Sequence, residues 1–228
     1  MNNDGVMNSL GRGHDCFMSY VPEQSHPNNF LVNLVSQAME KAHYGLVDGG
    51  KKDLPDYKYL NLNPGEHYRL LKAMVQILKP KTSIEIGTYT GLGAISLHEA
   101  GYGHVHTFDI IPWNHLMTHL TPEYFKDRMT QHIADLTNPM EFTKYSHLFQ
   151  NADIIFMDAP KDGVFEPKMV DLLLKLTPKE NRILVMDDIW FACMQPLWRS
   201  IKCPKIDITS LGHWSGTGIV DLSFSSSL

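Results

Sequence analysis

The sequence predicts an α/β fold: a seven-stranded, mostly parallel sheet with a C-terminal antiparallel hairpin and N-terminal covering helices. Three observations point there. From Thr82 onward, short β-rich runs alternate with helical segments, which implies parallel strands joined by right-handed crossovers. The last two runs are separated only by the short stretch from Gly212 to Gly216, which suits an antiparallel pair at a sheet edge. The first third instead carries apolar residues at helical spacing and lacks strand patterns.

In chain order, residues 1 to about 27 are polar and rich in Gly, Asn and Pro, and read as a loosely ordered arm. Phe30, Leu31, Leu34, Val35, Ala38, Met39 and Ala42 then recur at helical spacing over 29–43. The stretch from Asp48 to Pro55 breaks that helix into an exposed loop. A second helix follows Asn63-Pro64, with Leu70, Leu71, Met74, Val75 and Leu78 on one face, and stops at Pro80. Strands are expected over 83–87, 104–109, 129–135, 152–158, 182–187, 205–211 and 217–224. Helices are expected over 92–100, 122–126, 139–148, 166–176 and 191–201. Residues 1–80 thus form the arm and covering helices, and 81–228 the sheet-bearing core, within one structural domain.

Composition narrows the function. The 228 residues are 43% hydrophobic, which is ample for a packed core and excludes an intrinsically disordered chain. Acids outnumber bases, 25 Asp plus Glu against 20 Lys plus Arg, a net charge of −5 that argues against a general nucleic-acid binder. Cys16, Cys193 and Cys203 form no Cys-x-x-Cys pair, so neither a disulfide framework nor a thiolate zinc site is expected. Apolar runs such as Ile183 to Met186 are far shorter than the roughly 20 residues that span a bilayer. The expected setting is the cytoplasm, with no membrane partner.

The run Ile84-Glu85-Ile86-Gly87-Thr88-Tyr89-Thr90-Gly91-Leu92-Gly93 closes the first strand and opens a helix. Its glycines let the backbone turn sharply and approach a ligand closely. Its spacing, E-x-G-x-x-x-G-x-G, differs from the dinucleotide fingerprint G-x-G-x-x-G. A carboxylate at that strand end suits a ligand bearing an ammonium group, whereas the bland reading is a tight turn without a ligand. The next strand ends in Asp109, placed to accept hydrogen bonds from both hydroxyls of a ribose. Asp135, after the third strand, is a candidate partner for an adenine amino group or a simple helix cap.

With these motifs in view, the stretch from Asn63 to about Trp190 resembles class I S-adenosylmethionine-dependent methyltransferases. More narrowly it resembles the metal-dependent O-methyltransferases of the catechol and caffeoyl-CoA type. The likeness rests on the lead-in from Asn63 through the glycine loop, on Asp153-Ile154-Ile155-Phe156-Met157-Asp158-Ala159-Pro160-Lys161, and on Ile183 to Trp190. It implies a Rossmann-like sheet and a site for S-adenosylmethionine. The candidate cofactor contacts are Glu85, Gly87, Thr88, Tyr89, Gly91, Gly93, Asp109, Asp135 and Asp158. Glu85 and the loop would hold the methionine part, Asp109 the ribose, and Tyr89 would lie beside the sulfonium. The likeness does not extend to residues 1–60 or to the ending.

The fourth and fifth strands end in Asp158 and in Asp187-Asp188. Neighbouring parallel strands lie ~4.8 Å apart, so these carboxylates repel one another unless something positive lies between them. Oxygen-only donors suit Mg²⁺ more than Zn²⁺. The family has an Asp-Asn pair where this chain has Asp187-Asp188, which changes the charge of the site. Lys161 matches the family's general base. A free lysine, pKa ~10.4, is protonated at neutral pH, and a neighbouring dication, desolvation and a sulfonium would all lower that value. The bland readings are strand-end carboxylates without a metal and an exposed lysine.

Other candidates are weaker. His104 and His106 share one face of a strand and read as packing rather than as ligands. His213 and Trp214 either overhang the same edge and shape an acceptor pocket or form an ordinary turn. Trp113 and Trp190 are candidates to stack on adenine, or simply pack. The reading that follows is methyl transfer to a hydroxyl of a small molecule, with a vicinal diol chelated by Mg²⁺. Its rivals are a metal-independent methyltransferase, an NAD-dependent oxidoreductase and a non-catalytic nucleotide-binding protein. The arm would cover the site or reach a partner subunit in a homodimer.

Overall fold

The computed structural model describes residues 22–223; Cys16, the start of the arm and the end from Phe224 lie outside them. Helix α1 (Asn29–Tyr44) starts where the Asn28 side chain accepts the Leu31 N–H, and it buries Leu31, Leu34, Val35, Ala38 and Ala42. The segment after it is not all open loop. Pro55–Asn61 forms a 3₁₀ helix, and the Asn61 side chain bonds both the N–H and the C=O of Val47. Proline at the first position favours such a start because it has no N–H to leave unpaired. Helix α2 (Tyr68–Leu78) buries Leu70, Leu71, Ala73, Met74 and Val75 against α1.

Seven strands follow: β1 (Thr82–Ile86), β2 (His104–Asp109), β3 (Met129–Ile133), β4 (Ile154–Met157), β5 (Ile183–Asp187), β6 (Lys205–Asp207) and β7 (Thr217–Asp221). Their order across the sheet is β3-β2-β1-β4-β5-β7-β6. The first five are mutually parallel, and β7 runs antiparallel to both β5 and β6. The remaining helices are α3 (Leu92–Glu99), α4 (Pro139–Asn151), α5 (Phe165–Leu174) and α6 (Gln195–Ser200).

Alternation along the central strands explains their continuous apolar runs. Ile154, Phe156, Ile183 and Val185 face α1, α2 and α3, whereas Ile155, Met157, Leu184 and Met186 face α4, α5 and α6. A parallel strand covered on both faces must be apolar at every position. The N-terminal helices therefore share one buried cluster with the sheet.

Several expected boundaries shorten. Strand β6 ends at Asp207 because that side chain accepts the Thr209 N–H and starts a turn closed by Leu211 and Gly212 on the Ile208 carbonyl. Strand β3 stops before Asp135, whose carboxylate accepts the Thr137 N–H and hydroxyl. The helix expected over 122–126 is only a 3₁₀ turn, Tyr124–Lys126, and that over 191–201 is reduced to α6. Among the described residues no helix is long and apolar enough to cross a membrane.

The parallel register brings Gly87, Asp109, Asp158 and Asp187, each at or just past a strand's C-terminal end, to one edge. Strand order reverses about β1 and β4, and this is where open α/β sheets hold ligands.

At the opposite flank, His104, His106 and His132 pack as rings, with His106 Nδ1 3.0 Å from His132 Nε2. Burial, together with the neighbouring His104, His132 and His147, pushes the His106 pKa down to about 4. The unfolded chain, with His near 6.5, then binds more protons than the folded one between pH 6.5 and 4. Stability is therefore complete above pH 6.5 and is lost as pH falls through that window. His106→Gln should reduce the fall in Tm between pH 7 and pH 5 by a few degrees. An acid loss equal to the wild type in thermal melts would remove His106 as its cause. Some loss remains in the variant because His104 and His132 shift the same way.

Candidate active site

The glycine loop leaves β1 at Gly87, where φ is 98° and an added Cβ would lie 2.0 Å from the Asp158 carbonyl oxygen. The ends of β1 and β4 thus meet backbone to backbone, which only glycine permits. Gly91 precedes α3 as its cap. At Gly93 a Cβ would fall 2.2 Å from Glu85 Oε1. Glycine there leaves room for the buried Glu85 carboxylate, which accepts hydrogen bonds from the Thr107 hydroxyl (2.5 Å) and the Ala94 N–H.

Burial pushes the Glu85 carboxyl well above the ordinary carboxylate range, against the lowering effect of Thr107. Thr107 is also bonded to Thr88, which accepts from Gln131. Glu85, Thr88, Gly91 and Gly93 therefore shape the loop from beneath. None of the four lines the cavity above it.

That cavity, of about 610 Å³, opens beyond the ends of β1, β2 and β4. Of the sequence candidates, Gly87, Tyr89, Asp109, Asp135 and Asp158 line it, among apolar neighbours such as Ile111, Leu136 and Phe165. An apolar hollow with a few convergent polar groups is the usual make-up of a small-molecule site. Asp109 holds the loop as well, accepting the Tyr89 N–H (3.0 Å) on one oxygen and the Ile111 N–H (3.1 Å) on the other. Tyr89 itself is exposed and left-handed, with φ of 40°.

Asp158 borders a second feature, a cluster of ions. Lys161 Nζ is paired with Asp158 Oδ1 and lies 3.0 Å from Asp188 Oδ2 and 3.6 Å from Asp187 Oδ2. His213 Nδ1 donates to Asp187 Oδ1 at 3.1 Å, and the Ser215 hydroxyl donates to Asp188 Oδ1. Lys161 and Asp188 are both left-handed, with φ of 55° and 59°. Such conformations persist only where surroundings impose them, and they gather at functional sites. For Lys161 the surroundings are Glu166, which accepts its N–H at 2.7 Å, and Cys193, whose thiol donates to its carbonyl at 2.9 Å.

The charges follow from this arrangement. Burial lowers the Lys161 pKa, but Asp158, Asp187 and Asp188 outweigh it and raise the value above that of a free lysine. The carboxylates surround the ammonium directly, whereas the lowering expected from the sequence assumes a dication and a sulfonium beside it. Burial and Asp187 raise Asp158. Burial raises Asp187 too, but His67, His213 and Lys161 bring it well below the carboxylate range. Burial lowers His213, and its bonds to Asp187 and Asp188 push it up to about 10.

Sequence reasoning missed Glu66 and His67. They enter because Gly65 donates its N–H to the Gly212 carbonyl (3.2 Å), which lays the lead-in of α2 beside the β6–β7 turn. His67 is then 3.4 Å from Asp187, and Glu66 is 3.7 Å from His213 Nε2. No local spacing links positions 66 and 213. Trp190 and Trp113 do not line the cavity: the first donates to Asp207 and Thr209, and the second stacks on Phe125.

No family model and no curated protein matches the sequence. Solved structures do match the fold. The SAH-bound Podospora anserina methyltransferase PaMTH1 superposes with a TM-score of 0.50 at 17% identity, over 97% of this chain and 96% of that one. The O-methyltransferase TomG from Streptomyces achromogenes, in complex with SAM, gives 0.50 at 16%, over 97% and 99%. An O-methyltransferase from Bacillus cereus, in complex with SAH, gives 0.50 at 17%, over 88% and 93%. The chain has the methyltransferase fold. In the methyltransferase fold of this chain the cavity and the ion cluster meet at Asp158, beyond the strand ends.

Gly87→Ala tests how closely β1 and β4 must approach. A Cβ 2.0 Å from backbone oxygen at positive φ should cost about 2–4 kcal/mol. In thermal melts that is a drop of roughly 5–15 °C for a chain of this size. A wild-type Tm would show that the loop relaxes freely.

Proposed function

We propose that the chain is an S-adenosylmethionine-dependent O-methyltransferase acting on a hydroxyl of a small molecule. The observation that carries this reading is the position of Asp158. It lines the apolar cavity and also belongs to the ion cluster around Lys161, so a donor and an acceptor would meet there.

S-adenosylmethionine would supply a methyl group on a sulfonium. Asp109, at the tip of β2, offers its remaining lone pairs to the ribose hydroxyls. Asp135 offers a carboxylate to an adenine amino group, and Tyr89 covers the loop side of the cavity. Glu85 acts indirectly, tying the loop and the start of α3 to β2 through Thr107. Holding donor and acceptor in line supplies much of the rate of such a transfer.

Asp158, Asp187 and Asp188 would hold a divalent cation that binds a vicinal diol. The residues fit: three carboxylates converge, with the ammonium of Lys161 touching all of them, and oxygen donors call for Mg²⁺. Bound there, the ion would acidify an acceptor hydroxyl and weaken the hold of the carboxylates on the Lys161 proton. Lys161 Nζ is the group that takes the hydroxyl proton, on a residue whose backbone is held by Glu166 and Cys193. The partner in this reading is a small hydroxyl compound in the cytoplasm, not a nucleic acid or a membrane. A metal-independent reading has one observation in its favour: Lys161 and His213 already place two cationic groups among the carboxylates.

Calorimetry with S-adenosylmethionine and with NAD tests the cofactor. The first should bind, Asp109→Ala should abolish that binding, and NAD should give no heat; binding of NAD alone would sink the reading. Methyl transfer to a panel of diols tests the rest. Lys161→Ala should lower kcat by about 10²–10⁴-fold, and EDTA should stop turnover that Mg²⁺ restores. Turnover indifferent to EDTA selects the metal-independent reading, and turnover unchanged in Lys161→Ala removes the base.

A further inference from the structure

We propose that Glu66, His67 and His213 form a second metal site, adjoining the carboxylates around Lys161, and that it takes a nitrogen-accepting dication of the Zn²⁺ and Co²⁺ class. One ligand atom from each of the three lies within 4.8 Å of the other two. Two imidazoles and one carboxylate are a zinc-binding set, whereas Mg²⁺ prefers oxygen donors throughout.

Two further observations point to a ligand there. His67 is 1% exposed, and among the described residues neither of its ring nitrogens has a hydrogen-bond partner. An imidazole that deep without partners forfeits the hydrogen bonds it made to water. Its approach to Asp187 Oδ1, at 3.4 Å, is a loose charge contact. A cation bound to the ring would recover what burial removes.

The second observation is the orientation of His213. Its Nδ1 side is occupied: it donates to Asp187 at 3.1 Å and lies 2.7 Å from the Ser215 hydroxyl. This leaves Nε2 turned toward Glu66 Oε1 at 3.7 Å, too far for a hydrogen bond. Two ligands that bind one ion at about 2.0–2.2 Å sit roughly 3–4 Å apart. Metal-bound histidines commonly donate their other N–H to a carboxylate, which fixes ring and tautomer, and Asp187 is that carboxylate here.

The site adjoins the Lys161 cluster, since His67 also converges with Asp158 and Asp187, and His213 with Asp187 and Asp188, but the two sets meet Asp187 on different oxygens. Lys161 approaches Oδ2, whereas both histidines approach Oδ1. Glu66, His67 and His213 are absent from the lining of the apolar cavity. The inference therefore does not rest on methyl transfer. It would survive the loss of that reading, and its own failure would leave that reading intact.

Co²⁺ titration of the metal-stripped full-length protein tests it, because bound Co²⁺ absorbs in the visible when imidazoles ligate it. The wild type should develop one equivalent of such absorbance, displaced by Zn²⁺ and untouched by millimolar Mg²⁺. Glu66→Gln, which keeps the side chain's size, and His67→Ala should each weaken binding by about tenfold or more. Asp158→Asn should leave the visible band in place. Far-UV circular dichroism checks that each variant is folded, and Glu66→Gln decides alone if His67→Ala is not. No visible band in the wild type would overturn the proposal, as would a band that survives Glu66→Gln or that Mg²⁺ displaces.

Discussion

The repulsion among Asp158, Asp187 and Asp188 is the constraint on which the rest of the site depends. Parallel pairing of β4 with β5 places Met157 beside Met186, so the acids that follow them must emerge side by side. At such spacing each carboxylate raises the pKa of its neighbours, and the strand ends would splay or protonate without positive charge between them. Lys161 supplies it to all three acids on one side, and His213 to Asp187 and Asp188 on the other. The cluster is a balance of mutually dependent charges, and removing one cation leaves buried acids uncompensated, which is a large penalty.

That balance sets demands on the backbone. Lys161 lies only three residues after Asp158, and reaching back over its partner requires the chain to turn at once. The left-handed conformation at Lys161 achieves the turn, and the hydrogen bonds of its N–H to Glu166 and of the Cys193 thiol to its carbonyl hold it. Asp188 is left-handed too, following Asp187 directly, which turns a second carboxylate into the same space. Strain of this kind, about 1–3 kcal/mol per residue, needs surrounding structure to persist. The flanking β5 and β7, buried at every position, provide it.

What could be read in advance follows from how local the signal is. The β–α alternation, the terminal antiparallel strands and the acids at strand ends all lie within short windows, so periodicity and turn residues expose them. The Lys161 cluster was legible for the same reason: Asp158 and Lys161 are three apart, and Asp187 and Asp188 are adjacent. Element ends were less so, because Asp207 and Asp135 stop their strands through side-chain bonds that apolar patterning does not report. Glu66 and His67 were invisible, since nearly 150 residues separate them from His213 and they reach it through the backbone bridge at Gly65. Glu85 was seen but assigned outward, whereas burial and the bond from Thr107 turn it inward.

The contrast between Glu85 and Asp109 shows why position along a strand matters more than residue type here. Both acids lie on adjacent parallel strands, but Glu85 pairs with Thr107 in register and Asp109 lies two residues further on. Those two residues carry a carboxylate from a buried spot, where the neutral form is favoured, to the cavity wall. Asp109 there is still engaged by two loop N–H groups. Each N–H occupies one lone pair of an oxygen that has another to offer. The same carboxylate can therefore fix the loop and receive ribose hydroxyls. In the proposed function this couples the shape of the glycine loop to the cofactor through one side chain, while Glu85 ties the loop to β2 from below. Loop order and cofactor binding become two readouts of a single acid at the end of β2.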